Sequence, residues 1–297
     1  MKKSKGTLLA VLVFALLLTL AGCGGYGSAA PPQTPEVTPD DTPEQEAELS
    51  GVVKTGGSTS VEKVMNALIY QFQDDNRQVT INYEMNGSGD GIKNTISGMY
   101  EIGHSSRALK TDGSEDGLVA VAYAIDGIAI VVNTENAIED LTQEQLMRIY
   151  TGDIKKWNEV GGNNTPITVV TREPGSGTRD AFAEIVGLEK GGGNIIADAT
   201  VADSTGAIQT TVSQNPNAIG YMSFSDVDPL KVNTVKYNGV EITPAHLKDG
   251  SYKLSREFLM LAREGVKLSP AAQAFLDFVV SADGQKIVSD NKLLAIK

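Results

Sequence analysis

The sequence is poor in the residues that most often carry chemistry. One cysteine, Cys23, and two histidines, His104 and His246, occur in 297 residues. A lone cysteine excludes an intrachain disulfide, and neither histidine has acidic or thiol neighbours at metal-ligand spacing, so no metal is assigned to them. No H-E-x-x-H, G-x-S-x-G or GxxxxGK[ST] pattern is present, which removes the usual sequence support for a zinc hydrolase, a serine hydrolase or a P-loop enzyme. Positive charge is also scarce. Against 37 Asp and Glu stand 25 Lys and Arg, for a net charge of −12. Such a surface repels nucleic acid, and no basic patch with interleaved aromatics appears. The longest apolar run, Leu8 to Leu20, has 13 residues, short of the roughly 20 needed to span a bilayer.

That short run has another use. Lys2, Lys3 and Lys5 precede it and Leu20-Ala21-Gly22-Cys23 closes it, the pattern of a bacterial lipoprotein signal. The expectation is that residues 1–22 are removed and that Cys23 carries lipid, anchoring the chain to the extracytoplasmic face of the cell membrane. Each buried methylene contributes about 0.8 kcal/mol, so several acyl chains hold where one does not. Losing three lysines and no acids takes the charge from −12 to −15. Residues 23–50 then form an expected disordered tether. Five of the eleven prolines fall there with many acids and few large apolar residues, too little to offset ordering entropy.

From Gly51 onward, strand-like and helix-like patterns alternate. Val61, Val64, Met65, Leu68, Ile69 and Phe72 recur at helical spacing, and residues 79–83 (VTINY) alternate as a strand. Residues 119–132 are a buried strand pair or one long crossing strand. Residues 141–150 form a short helix with Thr142 as N-cap, 167–171 a strand, and 252–262 and 271–280 a late strand and helix. Repetition of strand, loop and helix predicts α/β layers. Trp157 is expected as a packing anchor.

Three loops share one design, a strand end followed by Gly, Ser and Thr and then an amphipathic helix: Gly57-Ser58-Thr59-Ser60, Gly87-Ser88-Gly89 and Gly175-Ser176-Gly177-Thr178. First-turn N–H groups lack intrahelical partners, and the macrodipole places partial positive charge there. An acidic chain can bind an anion through such local dipoles. Each loop alone is equally an ordinary N-cap. Arg172, four residues before Ser176, adds a planar fork able to hold two oxygens of an oxyanion.

Here the sequence resembles the phosphate-binding proteins of Pst-type ABC transporters. The resemblance covers most of residues 51–297. It rests on GGSTSV (56–61), NGSGDGIK (86–93), IGHSSRAL (102–109), LTQEQLMRIYTGDIKKWNEVGG (141–162), REPGSGTRDAF (172–182) and AIGYMSF (218–224). It implies a two-lobed type II periplasmic-binding-protein fold with a hinge, lobe 1 taking residues 51–124 and 226–297 and lobe 2 residues 125–225. Tyr123–Asp126 and Gly220–Ser223 resemble the two crossings. It also implies a protein that catalyses nothing, needs no cofactor, acts as a monomer and hands inorganic phosphate to ABC permease subunits. Phosphate would be held by Thr59, Ser60, Ser88, Ser106, Arg172, Ser176, Gly177 and Thr178, with Ser58 and Arg107 as further candidates. Arg107 is equally readable as a solvated surface arginine. Many relatives carry aspartate where this chain has Ser106. An aspartate accepts the proton of hydrogen phosphate and repels sulfate, whereas a serine accepts without repelling; Asp90 or Glu173 could supply the acceptor instead. Pro174 is a second departure, leaving open what orients Arg172. Sulfate, molybdate, or a surface adhesin or sensor role on the same scaffold remain alternatives.

Overall fold

The computed structural model describes residues 48–296, which belong to one compact unit. The expected signal 1–22, Cys23 and most of the expected tether lie outside the described residues. The tether ends earlier than expected: Leu49 packs against the core and Ser50 opens the first strand.

Two βα units come first. Strand β1 (Ser50–Gly57) leads through a 3-10 turn (Thr59–Val61) into helix α1 (Glu62–Asp75), then β2 (Gln78–Met85), α2 (Ser88–Ile96) and β3 (Ile102–Ser105). β1 pairs in parallel with both β2 and β3, as helical crossovers require. α1 buries Val64, Met65, Leu68, Ile69 and Phe72, the stripe read from the sequence. β4 (Leu118–Asn133) is one unbroken strand of 16 residues. Its first part, to Gly127, pairs with β10 (Ser255–Arg263), and from Ile128 onward it pairs with β8 (Ala218–Ser223) and β9 (Val232–Tyr237). It therefore serves two sheet regions, joined in the order β2-β1-β3-β10-β4-β8, then β6 (Thr168–Arg172) and β7 (Thr200–Ala202). A two-residue β5 (Asp140–Leu141) flanks β9, and β11 (Leu294–Ala295) pairs with β4.

The remaining helices are α3 (Gln143–Tyr150), α4 (Gly177–Val186), α5 (Thr205–Ser213), α6 (Pro244–Lys248), α7 (Pro270–Val279) and α8 (Ala282–Asp290). Each begins with a Ser or Thr hydroxyl accepting a first-turn N–H, namely Thr142, Ser176, Ser204, Thr243, Ser269 and Ser281. Such caps contribute about 1 kcal/mol each.

Two large apolar cores result. The first joins α1, α7 and α8 to β1, β2 and β10 through Phe72, Phe258 and Phe275. The second gathers Trp157, Tyr150, Phe182 and Tyr221 around the far half of β4. Residues 227–254, expected with the first lobe, pack in the second core. Val232, Val235, Tyr237, Leu247, Tyr252 and Leu254 are buried there, because β9 pairs with Ile130–Asn133. Gly220–Ser223, which resembles a crossing, forms the last four residues of β8 and pairs with Ile128–Val131 of β4. The chain passes between the cores within β4 and again between Leu254 and Arg256. Among the described residues no helix is long and apolar enough to cross a membrane.

Candidate anion-binding site

Each loop is held before it reaches the site. Ser58 N donates to His104 O (3.1 Å), and Tyr83 Oη donates to Ser58 O (2.7 Å). Gly57 has φ +139°, and a Cβ there would lie 2.2 Å from His104 O, so only glycine allows β1 to end against β3. Asn86 N and Gly87 N both donate to Gly57 O, which ties the second loop to the first. His104 itself is a buried core group. Thr55 Oγ1 donates to Ile102 O and lies 2.7 Å from His104 Nε2, so that nitrogen carries the ring proton. Burial pushes its pKa down to about 3. Across the site, Tyr221 stacks on Phe182 at 4.0 Å. Its hydroxyl lies 2.7 Å from Thr171 Oγ1 and accepts from Arg172 N, fixing the end of β6.

The three loops converge. Ser58 Oγ donates to Ser106 Oγ (2.8 Å), and Ser106 N donates to Ser88 Oγ (3.1 Å). Ser60 Oγ lies 2.7 Å from Thr178 Oγ1. Gly89 N donates to Gly175 O (2.9 Å). Gly177 sits so close to Ser88 and Ser106 that a Cβ would be 2.3 Å and 2.7 Å from their hydroxyls. Arg172 Nη2 donates to Thr59 Oγ1 at 3.0 Å. Ser58, Thr59, Ser60, Ser88, Ser106, Arg172, Ser176 and Thr178 are all buried. The Ser176 hydroxyl accepts from Arg179 N as the α4 cap, so its proton is what it can offer a ligand.

Arg172 is oriented by its own neighbour. Glu173 accepts from Nε and Nη2 at 2.8 Å each. That answers the question raised by Pro174. Arg179 Nη1 adds a hydrogen bond to Arg172 O (2.6 Å). Asp90, the other candidate acceptor, lies in the first turn of α2.

Arg107 is buried and committed elsewhere. Nη1 and Nη2 donate to Glu115 at 2.8 and 2.5 Å, and Nε lies 2.9 Å from Asp180 Oδ2, off the N–H axis. It is neither a solvated surface arginine nor a free anion donor. One residue escaped sequence reasoning: buried Thr205, whose hydroxyl lies 3.1 Å from Ser60 Oγ, 3.4 Å from Thr59 Oγ1, and accepts from Arg172 Nη1 at 3.4 Å. Ser204-Thr205-Gly206 follows strand β7 and opens α5, the same signature as the other three loops. Among the described residues no cluster of His, Cys, Asp and Glu could hold a metal.

Four helix starts, neutral hydroxyls and one oriented guanidinium are gathered in one buried cluster, a donor set chemically suited to an oxyanion. The PBP superfamily domain matches residues 42–283. Phosphate-binding protein PstS of Staphylococcus saprophyticus is 30% identical over 285 residues, covering 90% of this chain and 83% of its own. The chain belongs to this phosphate-binding family. PstS of Bacillus subtilis is 29% identical across 100% of this chain and 95% of its own. A crystal structure from Clostridium perfringens with bound phosphate, described as a phosphate ABC transporter substrate-binding protein, is 44% identical. It has a TM-score of 0.80 over 83% of this chain and 100% of that one. The family fold is the mixed α/β periplasmic-binding-protein fold, and its members are transporter substrate-binding proteins, not enzymes.

Proposed function

We propose that this chain captures inorganic phosphate between two lobes and delivers it to the membrane subunits of an ABC importer. The observation that carries this reading is the buried hydroxyl cage around Arg172, built from the starts of α1, α2, α4 and α5. Burying a charged anion is costly unless each oxygen is paired. Many short hydrogen bonds, some charge-assisted, meet that need. Micromolar binding requires about 8 kcal/mol net. Thr59, Ser60, Ser88, Ser106, Arg172, Ser176, Gly177, Thr178 and Thr205 are the contacts, with Ser58 positioning Ser106. The lobes follow the two cores, so the second crossing falls at 254–256, and rotation about it and β4 opens the cage. The protein acts as a monomer held by lipid on Cys23 at the outer face of the cell membrane.

Ser106 bears on ligand choice. Its neighbours Ser58 and Ser88 are hydroxyls, so the phosphate proton meets neutral acceptors and a fully deprotonated anion meets no fixed negative charge there. The test is a calorimetric titration with phosphate, alone and against sulfate, on wild type and Ser106→Asp. Phosphate should bind at micromolar or better, with measurable sulfate competition that Ser106→Asp abolishes. Sulfate excluded equally from both proteins would remove the Ser106 argument, and sulfate binding tighter than phosphate would overturn the ligand.

A further inference from the structure

The groups just outside the cage have no evident role in recognition. Arg107 follows Ser106 directly, and Asp180 lies two residues beyond Thr178, so the two stand on opposite walls of the site. The Arg107 guanidinium is spent on carboxylates: Glu115 on its own wall takes Nη1 and Nη2, while Asp180 in the first turn of α4 faces Nε at 2.9 Å. Lys110 N also donates to Glu115 Oε2 (2.8 Å), and Lys110 Nζ is 3.8 Å from Oε1. Arg107 Nη1 also donates to Ala108 O at 2.8 Å. Farther out, Lys190 Nζ meets Asp112 Oδ2 across the same gap at 2.9 Å, but both are exposed. Lys190 moves with α4, because Arg179 donates to Gly191 O and Gly192 O beside it. Both ion pairs line a cleft of about 830 Å³ next to the cage. Arg107 is 7% exposed, so salt screens its contact with Asp180 less than the outer pair.

We infer that Arg107 and Asp180 form a latch across the cleft that sets how long the closed form lasts, without touching the anion. This rests on the phosphate reading above. Arg107 is pre-oriented by Glu115 whether the walls are together or apart, and Asp180 meets it only on closure. The pair therefore acts on the closed state alone, where losing one partner of a buried charge pair appears mainly as faster dissociation. The outer Lys190–Asp112 pair is exposed and contributes little.

The experiment measures phosphate association and dissociation by stopped flow for wild type, Asp180→Asn, Arg107→Gln, the double variant and Lys190→Ala. Small-angle scattering of each phosphate-free protein reports the balance of open and closed forms. Asp180→Asn should raise the dissociation rate about tenfold and leave association within about twofold. It should also shift the free protein toward larger radius of gyration. The double variant should be no worse than Arg107→Gln, and Lys190→Ala should stay near wild type. An unchanged dissociation rate in Asp180→Asn with wild type binding phosphate would overturn the latch alone. So would Arg107→Gln losing binding altogether, as expected of an anion contact. Absence of phosphate binding in wild type would sink the phosphate reading itself. The scattering would still decide the latch, since an unshifted radius in Asp180→Asn contradicts it.

Discussion

Replacing Gly177 by alanine adds one methyl group where the two walls meet. Its Cβ would fall 2.3 Å from Ser88 Oγ, 2.7 Å from Ser106 Oγ and 2.9 Å from Ser88 Cβ, against an ordinary contact of 3.4–4 Å. Ser88 and Ser106 are both 0% exposed, so neither hydroxyl can withdraw without breaking the cage. Overpacking of this kind costs about 1–3 kcal/mol, which is about 5- to 150-fold in affinity. The clash exists only on closure, because Ser88 and Ser106 are held by the first sheet region and Gly177 by α4. In the free protein alanine is a better helix former than glycine, so unliganded stability should hold or rise slightly. Gly206→Ala in α5 is the control, because a Cβ there meets nothing within 4 Å. The assay is thermal unfolding with and without phosphate, beside calorimetry. Ligand at a hundred times the wild-type Kd stabilises wild type by about 2.7 kcal/mol, and at the same concentration this increment should fall to between about 1.8 and about 0.3 kcal/mol in Gly177→Ala and persist in Gly206→Ala. Phosphate binding by Gly177→Ala within twofold of wild type would refute the close approach of the walls.

Thr205→Val removes a hydroxyl shared by Thr59, Ser60 and Arg172; one lost hydrogen bond of about 1 kcal/mol predicts a roughly fivefold weaker titration, with Thr205→Ser near wild type. Stability against pH carries two opposed contributions. Burial raises Asp126 to about 6, against the pull of Arg256, and raises Asp226 to about 7, helped by Asp126. The folded state then holds more protons than the unfolded one between about pH 4 and 7, so these carboxylates remove stability as pH rises through that window. His104, pushed down to about 3, acts the other way: the unfolded chain takes up its proton below about 6.5, and stability falls as pH drops toward 3. Asp226→Asn removes one part of this balance. Its urea midpoint should exceed that of wild type at pH 7.5 by clearly more than at pH 5, the difference closing only below about pH 4, and an equal offset at pH 7.5 and pH 5 would contradict the assignment.

The candidate site was legible because its grammar is local. A strand end, a Gly/Ser/Thr loop and an apolar helical stripe lie within a dozen residues, so three helix starts and Arg172 stood out. Thr205 escaped because its strand β7 has only three residues and α5 buries a short face of Thr205, Ile208 and Val212. Long-range pairing was not legible. The alternation of Val232, Val235 and Tyr237 suits either core, and only pairing with Ile130–Asn133 assigns it to the second. The state of Arg107 depended on Glu115, which accepts from Nη1 and Nη2, and on Asp180, far along the chain. The long strand at 118–133 was visible as an apolar run, but its change of partner at Gly127–Ile128 follows from the sheet and not from its composition.

The most direct test of the phosphate cage is calorimetric titration of phosphate into wild type and Arg172→Ala. Arg172 gives one hydrogen bond to Thr59, a weaker one to Thr205, and stands paired with Glu173. Hydrogen bonds to charged groups contribute about 1.5–3 kcal/mol each, so if the guanidinium gives two of them to phosphate, its removal predicts at least about a hundredfold weaker binding. Micromolar or tighter binding by wild type, lost in Arg172→Ala while its fold survives by circular dichroism, is the predicted result. Unchanged phosphate affinity in a folded Arg172→Ala would contradict the account.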